Sequence, residues 1–339
     1  MSFNDLDEVS YSLIKEGEPY QRVLGEFLLD WIDKETTIPI KTSGSTGIPK
    51  KILLEKQHMV NSAMATGTFF DLYPGNTALL CLPGDYIAGK MMLVRAMVLG
   101  LELDWIAPSS TPLRSFETCY HFCAMVPVQL ENSLDQIDHI KTVIVGGAPI
   151  SKSLKVKIQD KKTDIFETYG MTETITHIAI KKVNHGAEDY FKTLPNVKVY
   201  SDERDCLVIN APDINAEPII TNDIVDLISD IKFNWLGRYD NIINSGGVKL
   251  IPEQIERKLA PIIDDRFFVA GIPDEKLGQK LILLVEENNA NYELLEKVKS
   301  LETLEKYEIP KDILFLENFI ETENGKISRM STLQHILNL

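Results

Sequence analysis

The stretch Thr42-Ser43-Gly44-Ser45-Thr46-Gly47-Ile48-Pro49-Lys50-Lys51 decides how the rest of this 339-residue chain is read. Two glycines let the chain turn tightly and bring backbone N–H groups toward a ligand. Hydroxyl side chains and two lysines add donors and positive charge. Amide nests and cations are what bind phosphate oxygens, so such a loop suits a triphosphate. It is not a Walker A loop, because the Gly-Lys-Ser/Thr ending is missing. Taken alone it also fits a flexible Ser/Gly-rich surface loop.

Short β-rich runs and helical stretches alternate around it. Residues 36–41 read as a strand entering the loop, 55–70 as a helix, and 77–82 as a strand ending at Pro83-Gly84. Residues 90–99 form a helix that is apolar on most faces. Residues 101–106, 124–127 and 142–145 are further short strands, each closed by Pro, Gly or Ser. This alternation predicts an α/β fold with a mostly parallel sheet flanked by helices, its ligand site built from loops after the strand C-termini. Beyond residue 190 short strands at 197–200, 206–210, 219–221 and 224–228 predict a small β subdomain. A helix at 252–259, strands at 266–270 and 280–286 and a helix at 292–304 predict a small α+β domain. The expected division is a large domain at 1–238 and a small mobile one at 239–339.

An apolar fraction of 44% with 25% charged residues is that of a soluble globular chain. No apolar run is long enough to cross a bilayer. The acidic, polar start shows no secretory signal, so a cytoplasmic protein without membrane insertion is expected. A net charge of −15 disfavours nucleic-acid binding, and a polyanionic ligand needs a local site of amides and cations. Cys119 and Cys123 flank His121, but no second ligand pair follows at zinc-like spacing. Buried free thiols are therefore expected. Homodimer formation is left open.

The segment TSGSTGIPK resembles the phosphate-binding signature of the adenylate-forming superfamily of acyl-CoA synthetases and peptide-synthetase adenylation enzymes. The family's other signatures should then follow in order, and matching segments do. Tyr169-Gly170-Met171-Thr172-Glu173-Thr174 is similar to the second signature. The resemblance implies that Tyr169 packs on adenine, Thr172 contacts the α-phosphate and Glu173 holds Mg²⁺, which is typically bound by one or two carboxylates plus substrate phosphates. Val145-Gly146-Gly147-Ala148-Pro149 resembles the glycine turn bordering the adenine and acyl pockets, which implicates Gly147 and Ala148. Thr221-Asn222-Asp223 resembles a Thr-Gly-Asp element whose aspartate binds ribose. Asparagine stands there for glycine, and its tolerance of φ > 0 is expected to preserve the turn.

Gly237-Arg238-Tyr239-Asp240 and the following Ser245-Gly246-Gly247-Val248-Lys249 resemble the junction between the two domains. That implies Arg238 on ribose or phosphate, Asp240 as hinge, and Gly246 and Gly247 along the pantetheine channel. Glu253 and Glu256 are expected on a solvated helix face. Gly325-Lys326-Ile327-Ser328-Arg329 resembles the C-terminal signature and implies Lys326 as the catalytic lysine. The implied activity is that of an AMP-forming acid–CoA ligase using ATP, Mg²⁺ and coenzyme A.

Only about forty residues precede the phosphate loop, fewer than in full-length relatives. Short forms of this kind are similar to o-succinylbenzoate–CoA ligases of menaquinone biosynthesis. The run from Met171 to His177 continues as theirs does, with a Thr-His pair, and the resemblance puts His177 among the expected substrate residues. Leu82-Pro83-Gly84-Asp85-Tyr86-Ile87-Ala88-Gly89-Lys90 resembles their Pro…His-Ile-Ala-Gly segment, with Tyr86 for histidine and Lys90 for an apolar residue. A dianionic acid needs a partner for its second carboxylate, and Lys90 or Arg95 in the apolar helix is the candidate. Either could instead snorkel or pair within the protein. Another aryl- or acyl-CoA ligase, an enzyme loading a carrier protein and a non-catalytic nucleotide-binding homologue remain competing readings.

Overall fold

The computed structural model describes residues 5–41, 51–114, 118–287, 292–322 and 327–337. The candidates Thr42, Ser43, Gly44, Ser45, Thr46, Gly47, Lys50 and Lys326 lie outside the described residues. Helices α1 (Leu6–Glu16) and α2 (Pro19–Ile32) come first. Proline suits the start of α2, where its missing N–H is not needed. Strands β1 (Thr37–Lys41) and β2 (Lys51–Glu55) then pair antiparallel, with Lys41 opposite Lys51, so the two ends of the glycine-rich segment are neighbours. No strand is expected at β2 from the sequence.

The chain continues through α3 (Lys56–Phe70), β3 (Thr77–Leu80), α4 (Ile87–Leu99), β4 (Glu102–Trp105), β5 (Tyr120–Met125), α5 (Pro127–Glu131), β6 (Ile140–Val145), α6 (Lys152–Lys157) and β7 (Asp164–Gly170). Strands β4, β3, β5, β6 and β7 lie side by side in parallel. The next six are β8 (His177–Lys182), β9 (Phe191–Thr193), β10 (Lys198–Ser201), β11 (Cys206–Asn210), β12 (Ile219–Ser229) and β13 (Lys232–Arg238). They run antiparallel and join through β8 to β7, which makes one mixed sheet of 11 strands ordered β10-β11-β12-β13-β9-β8-β7-β6-β5-β3-β4. The strands expected as a small β subdomain thus continue the parallel sheet edge to edge.

Strand residues alternate between faces, and the core follows that alternation. Ala78, Leu80, Phe122, Ala124 and Ile144 pack on α2, α3 and α4 through Phe27, Met59, Ala63, Met91 and Met92. Leu79, Cys81, Cys123, Val143 and Val145 pack on Leu130 of α5 and Leu154 of α6. Cys81, Cys123 and Cys206 are buried and free, whereas Cys119 is exposed.

A second sheet holds β14 (Ile243–Ser245) and β15 (Val248–Leu250), followed after α7 (Pro252–Leu259) by β16 (Phe267–Asp274) and β17 (Gly278–Glu286). After α8 (Tyr292–Lys299), β18 (Asp312–Leu316) pairs in parallel with β17, and α9 (Arg329–Leu337) ends the described chain. One face packs on α7 and α8 through Val269, Leu281 and Leu283, and the other on α9 through Phe268, Ile282 and Leu284. The two sheets touch where Lys152 Nζ donates to the Arg257 carbonyl at 2.8 Å, and Arg257 Nη2 donates to the Trp235 carbonyl at 2.6 Å. Among the described residues no helix is long and apolar enough to cross a membrane.

Candidate active site

The parallel strands deliver the loops after β3, β5, β6 and β7 to one end of the sheet. After β6, Gly147 takes φ +86°, which favours glycine. A Cβ on Gly146 would sit 2.5 Å from Thr168 Oγ1, the hydroxyl that donates to the Val145 carbonyl at 3.1 Å and ties this turn to β7. Gly147 and Ala148 are both exposed.

After β7 the chain makes a short 3-10 turn, Thr172–Thr174, with Thr172 half-buried and Glu173 exposed. Thr174 Oγ1 accepts from the Met171 N–H at 2.9 Å, which holds the turn shut. Ile175 then adopts φ 65° and ψ −62°, and the Thr176 N–H donates to the Thr174 carbonyl at 2.7 Å. This is the rare γ-turn of positive φ, strained for a β-branched residue. The Ile175 side chain is buried, and the reversal sends Thr176 and His177 inward. Gly170 makes the close return workable: a Cβ there would lie 2.2 Å from the Thr176 carbonyl oxygen and 2.6 Å from His177 Cα. Backbone cannot yield as a side-chain end can. Gly170→Ala is therefore expected to destabilise by about 1–3 kcal/mol in a thermal melt; an unchanged melting temperature would show that the turn opens freely.

Asp223 on β12 is buried and collects three donors: Tyr169 Oη at 2.6 Å, Trp235 Nε1 at 3.0 Å and Arg238 Nη1 at 3.4 Å. Burial and then the Asp223 charge raise the Tyr169 phenol well above its ordinary value. The Tyr169 ring packs edge-on against Phe233 at 5.1 Å. Burial lowers the Arg238 pKa, but Asp223 and Asp240 outweigh it and the net shift is upward. Residues 219–221 and 224–228 are one strand, because the polar pair between them stays in the ladder. Asn222 is accordingly extended and not among the residues of positive φ, which corrects the expected reason for its presence. Its amide instead forms a bridge. Oδ1 accepts from Arg204 Nη1 at 2.9 Å, and Nδ2 donates to Asp240 Oδ1 at 3.2 Å. Arg238 Nη2 holds the same Asp240 carboxylate at 2.9 Å.

In the second sheet Gly246 (φ 60°) and Gly247 (φ 82°) form the two-residue turn of the β14–β15 hairpin, where both central residues need positive φ. Glu253 and Glu256 are not on a solvated face. Glu253 is buried, with Oε1 accepting from Asn241, and Glu256 takes a two-point contact from Arg329 at 2.7 and 2.8 Å. Gly237 makes room for this, since a Cβ there would meet Glu253 Oε2.

Arg95 and Lys90 separate clearly. Five residues apart on one helix, they point about 140° from each other. The Lys90 ammonium lies 4.9 Å from the Phe27 ring centre. Burial lowers its pKa, while Asp85, Asp30 and Glu26 push it back up. Arg95 is 1% exposed and no carboxylate among the described residues pairs with it. Its donors meet Thr66 Oγ1 at 3.4 Å, Met92 Sδ at 3.7 Å and Thr176 Oγ1 at 3.3 Å. Burial alone brings its pKa down to about 10, so it stays charged at neutral pH. His177 is buried beside it, and burial followed by the Arg95 charge hold it well below the usual imidazole value. His177 Nε2 has no hydrogen-bond partner among the described residues. Thr176, Thr66, Trp235 and Arg204 escaped the sequence reading; only Thr176, inside the matched run, carried a signal.

No group of three or more His, Cys, Asp or Glu among the described residues could hold a metal ion. Glu173, exposed and without a side-chain partner there, fits a cation shared between one carboxylate and phosphate oxygens.

Known proteins resemble this chain in sequence and fold. The family model described as AMP-binding enzyme matches residues 32–206, more than half of the chain. The 2-succinylbenzoate–CoA ligase of Escherichia coli (strain K12) is 24% identical over 352 aligned positions, covering 95% of this chain and 76% of the relative. The solved acyl-CoA synthetase (AMP-forming)/AMP-acid ligase II-like protein from Dyadobacter fermentans is 37% identical, with a TM-score of 0.64 over 97% of this chain and 98% of that one. The o-succinylbenzoate coenzyme A synthetase of Bacillus subtilis, solved with ATP and magnesium ion, is 20% identical with a TM-score of 0.71, over 87% of this chain and 69% of that one, and so shares the fold.

Proposed function

This chain belongs to the AMP-binding enzyme family, and from that premise we propose that it is an ATP-dependent acid–CoA ligase whose acid is o-succinylbenzoate. The observation that carries the choice of acid is Arg95, a buried cation with no carboxylate partner among the described residues. An uncompensated buried charge is unfavourable, and a substrate with a second carboxylate supplies the missing partner. Arg95, rather than Lys90, is the residue we assign to it. The names of the curated relatives agree with this reading.

In the first half-reaction the succinyl carboxylate attacks the α-phosphorus of ATP and pyrophosphate leaves. The two anions repel, so catalysis is chiefly positioning and charge neutralisation. We assign the β- and γ-phosphates to residues 42–50, the α-phosphate to Thr172, and the bridge between carboxylate and α-phosphate to Lys326. Glu173 would hold Mg²⁺, which when bound neutralises phosphate oxygens. Tyr169, Gly147 and Ala148 border the adenine. Asp223 and Arg238 take the ribose; a carboxylate has about four lone-pair sites, and three internal donors leave room for a hydroxyl. In the second half-reaction the CoA thiol displaces AMP, with Gly246 and Gly247 lining its approach. Residues 239–339 would move as a small domain about Asp240 between the steps. ATP and CoA as substrates point to the cytoplasm.

The test is acid-dependent pyrophosphate release with ATP and Mg²⁺, comparing o-succinylbenzoate with benzoate, 4-hydroxybenzoate, succinate and a medium-chain fatty acid. Release specific to o-succinylbenzoate, and thioester once CoA is added, is expected. Release with another acid only would discard the substrate; release with none would discard the activity.

A further inference from the structure

Arg95 is not the only buried group in this part of the fold with an unmet bond. His177 is 4% exposed, and its Nε2 is a buried polar atom with no partner among the described residues. An orphaned buried donor or acceptor costs about 1–3 kcal/mol and calls for an explanation. The other ring nitrogen, Nδ1, lies 3.3 Å from Thr176 Oγ1, and that same hydroxyl accepts from Arg95 Nη2 at 3.3 Å.

The direction of this chain is decided at its first link. A guanidinium can only donate, so Thr176 Oγ1 must accept from Arg95. The hydroxyl has one proton of its own, and His177 Nδ1 is the acceptor within reach among the described residues. Were Nδ1 protonated, two donors would converge on Oγ1 and the hydroxyl proton would have no acceptor there. A bare Nδ1 uses every proton in the chain. Because burial beside Arg95 keeps the imidazole neutral, its single proton then sits on Nε2. The γ-turn at Ile175 supports this purpose, since its reversal brings Thr176 and His177 to Arg95. Nη1 and Nη2 of Arg95 each make one contact to a described residue and so keep a further N–H to offer.

We infer that His177 is fixed as the Nε2–H tautomer by the chain Arg95, Thr176, His177, and that this N–H is a specificity donor to the second carboxylate of the acid. The carboxylate role rests on the function proposed above; the tautomer does not. A carboxylate meeting Arg95 and His177 together gains a neutral donor whose orientation the acid itself does not have to organise.

Two measurements test it. Nitrogen-15 NMR of the wild-type protein, with His177 assigned among the 6 histidines by its disappearance in His177→Gln, should show a protonated Nε2 and a bare Nδ1. Thr176→Val should erode that preference. A charged ring or an Nδ1–H tautomer would overturn the inference. Kinetically, His177→Leu should raise the KM for o-succinylbenzoate about 10-fold or more, the loss expected of one buried hydrogen bond to a charged group. It should leave 4-oxo-4-phenylbutanoate, which lacks the aryl carboxylate, within about 2-fold. His177→Gln, which keeps a side-chain N–H, should recover most of the loss. Equal KM values for wild type and His177→Leu would end the donor role even with the tautomer confirmed. If another dianionic acid supports pyrophosphate release, the same comparison is made with that acid and its analogue lacking the second carboxylate. If only monoanionic acids do, the donor role fails with the proposed substrate, while the NMR result stands alone. Should His177→Leu fail to fold, His177→Gln against Thr176→Val makes the comparison.

Discussion

Arg95→Met is expected to raise the melting temperature by a few degrees and to raise the KM for o-succinylbenzoate by about 100-fold or more. The two effects have one cause. The guanidinium is 1% exposed, and its contacts are hydroxyls and a thioether at 3.3–3.7 Å, none of which carries negative charge. Its folded-state pKa is lowered by burial, so below about pH 10 the charged form opposes folding. That penalty is relieved only as pH rises through this value and the folded state gives up its proton before the unfolded one. Methionine fills a similar length with no charge to desolvate, which at neutral pH favours the folded state by roughly 1–3 kcal/mol. Removing one partner of a buried charge pair costs a ligand about 2–5 kcal/mol, and this sets the size of the KM effect. The acid lacking the aryl carboxylate should be indifferent or slightly helped. Arg95→Lys should recover little, because an ammonium cannot present the planar fork that reaches two hydroxyls and a carboxylate together. A lower melting temperature with an unchanged KM would make Arg95 a structural residue and remove the support for a dianionic substrate.

The sequence could not choose between Lys90 and Arg95, and the reason is physical. Helix α4 is apolar nearly all round, so its hydrophobic pattern has no phase from which to read which partners each cation meets. Only the neighbours decide: Phe27 and the carboxylates of Glu26 and Asp30 on α2 for Lys90, Thr66 and Thr176 for Arg95. Strands such as β11 were legible because an apolar run between turn residues has few other fates. β12 was split in two because Asn222 and Asp223 read as a loop, although their polar atoms are answered inside the fold by Arg204, Asp240, Tyr169 and Trp235. Glu253 and Glu256 were misjudged for a similar reason. Charge on a helix usually means solvent, but here the partner, Arg329, lies 73 residues beyond Glu256, and the space comes from Gly237. β2 escaped because Lys51–Glu55 runs directly into α3, so one apolar stretch serves two elements. Motif spacing named candidates; it could not report which of their hydrogen bonds were already spent.

Lys326→Ala is expected to slow acid-dependent pyrophosphate release by about 1,000-fold while acyl transfer from supplied o-succinylbenzoyl-adenylate to CoA stays within a few-fold. The lysine itself lies outside the described residues, but the chain directly after it is anchored. The Ser328 N–H donates to the Ile320 carbonyl at 2.7 Å, Ile327 bridges to Glu321, and Arg329 grips Glu256. A point charge serving the first step must offset the repulsion between a carboxylate and the α-phosphate, and losing one such contact typically costs about 3–4 kcal/mol of barrier. In the second step the carboxylate is already a mixed anhydride and the attacking group is a thiol, so that repulsion has gone. The asymmetry is therefore a property of the charges and not of the fold. An equal loss in both steps would point to a lysine that supports the shared nucleotide site. No loss in either would take Lys326 out of the chemistry, and charge neutralisation would then have to come from Lys50, Arg238 and any cation that Glu173 would hold. Arg329→Lys makes a useful companion. If it slowed the first step alone, the anchor on Glu256 would be setting where the preceding residues can reach.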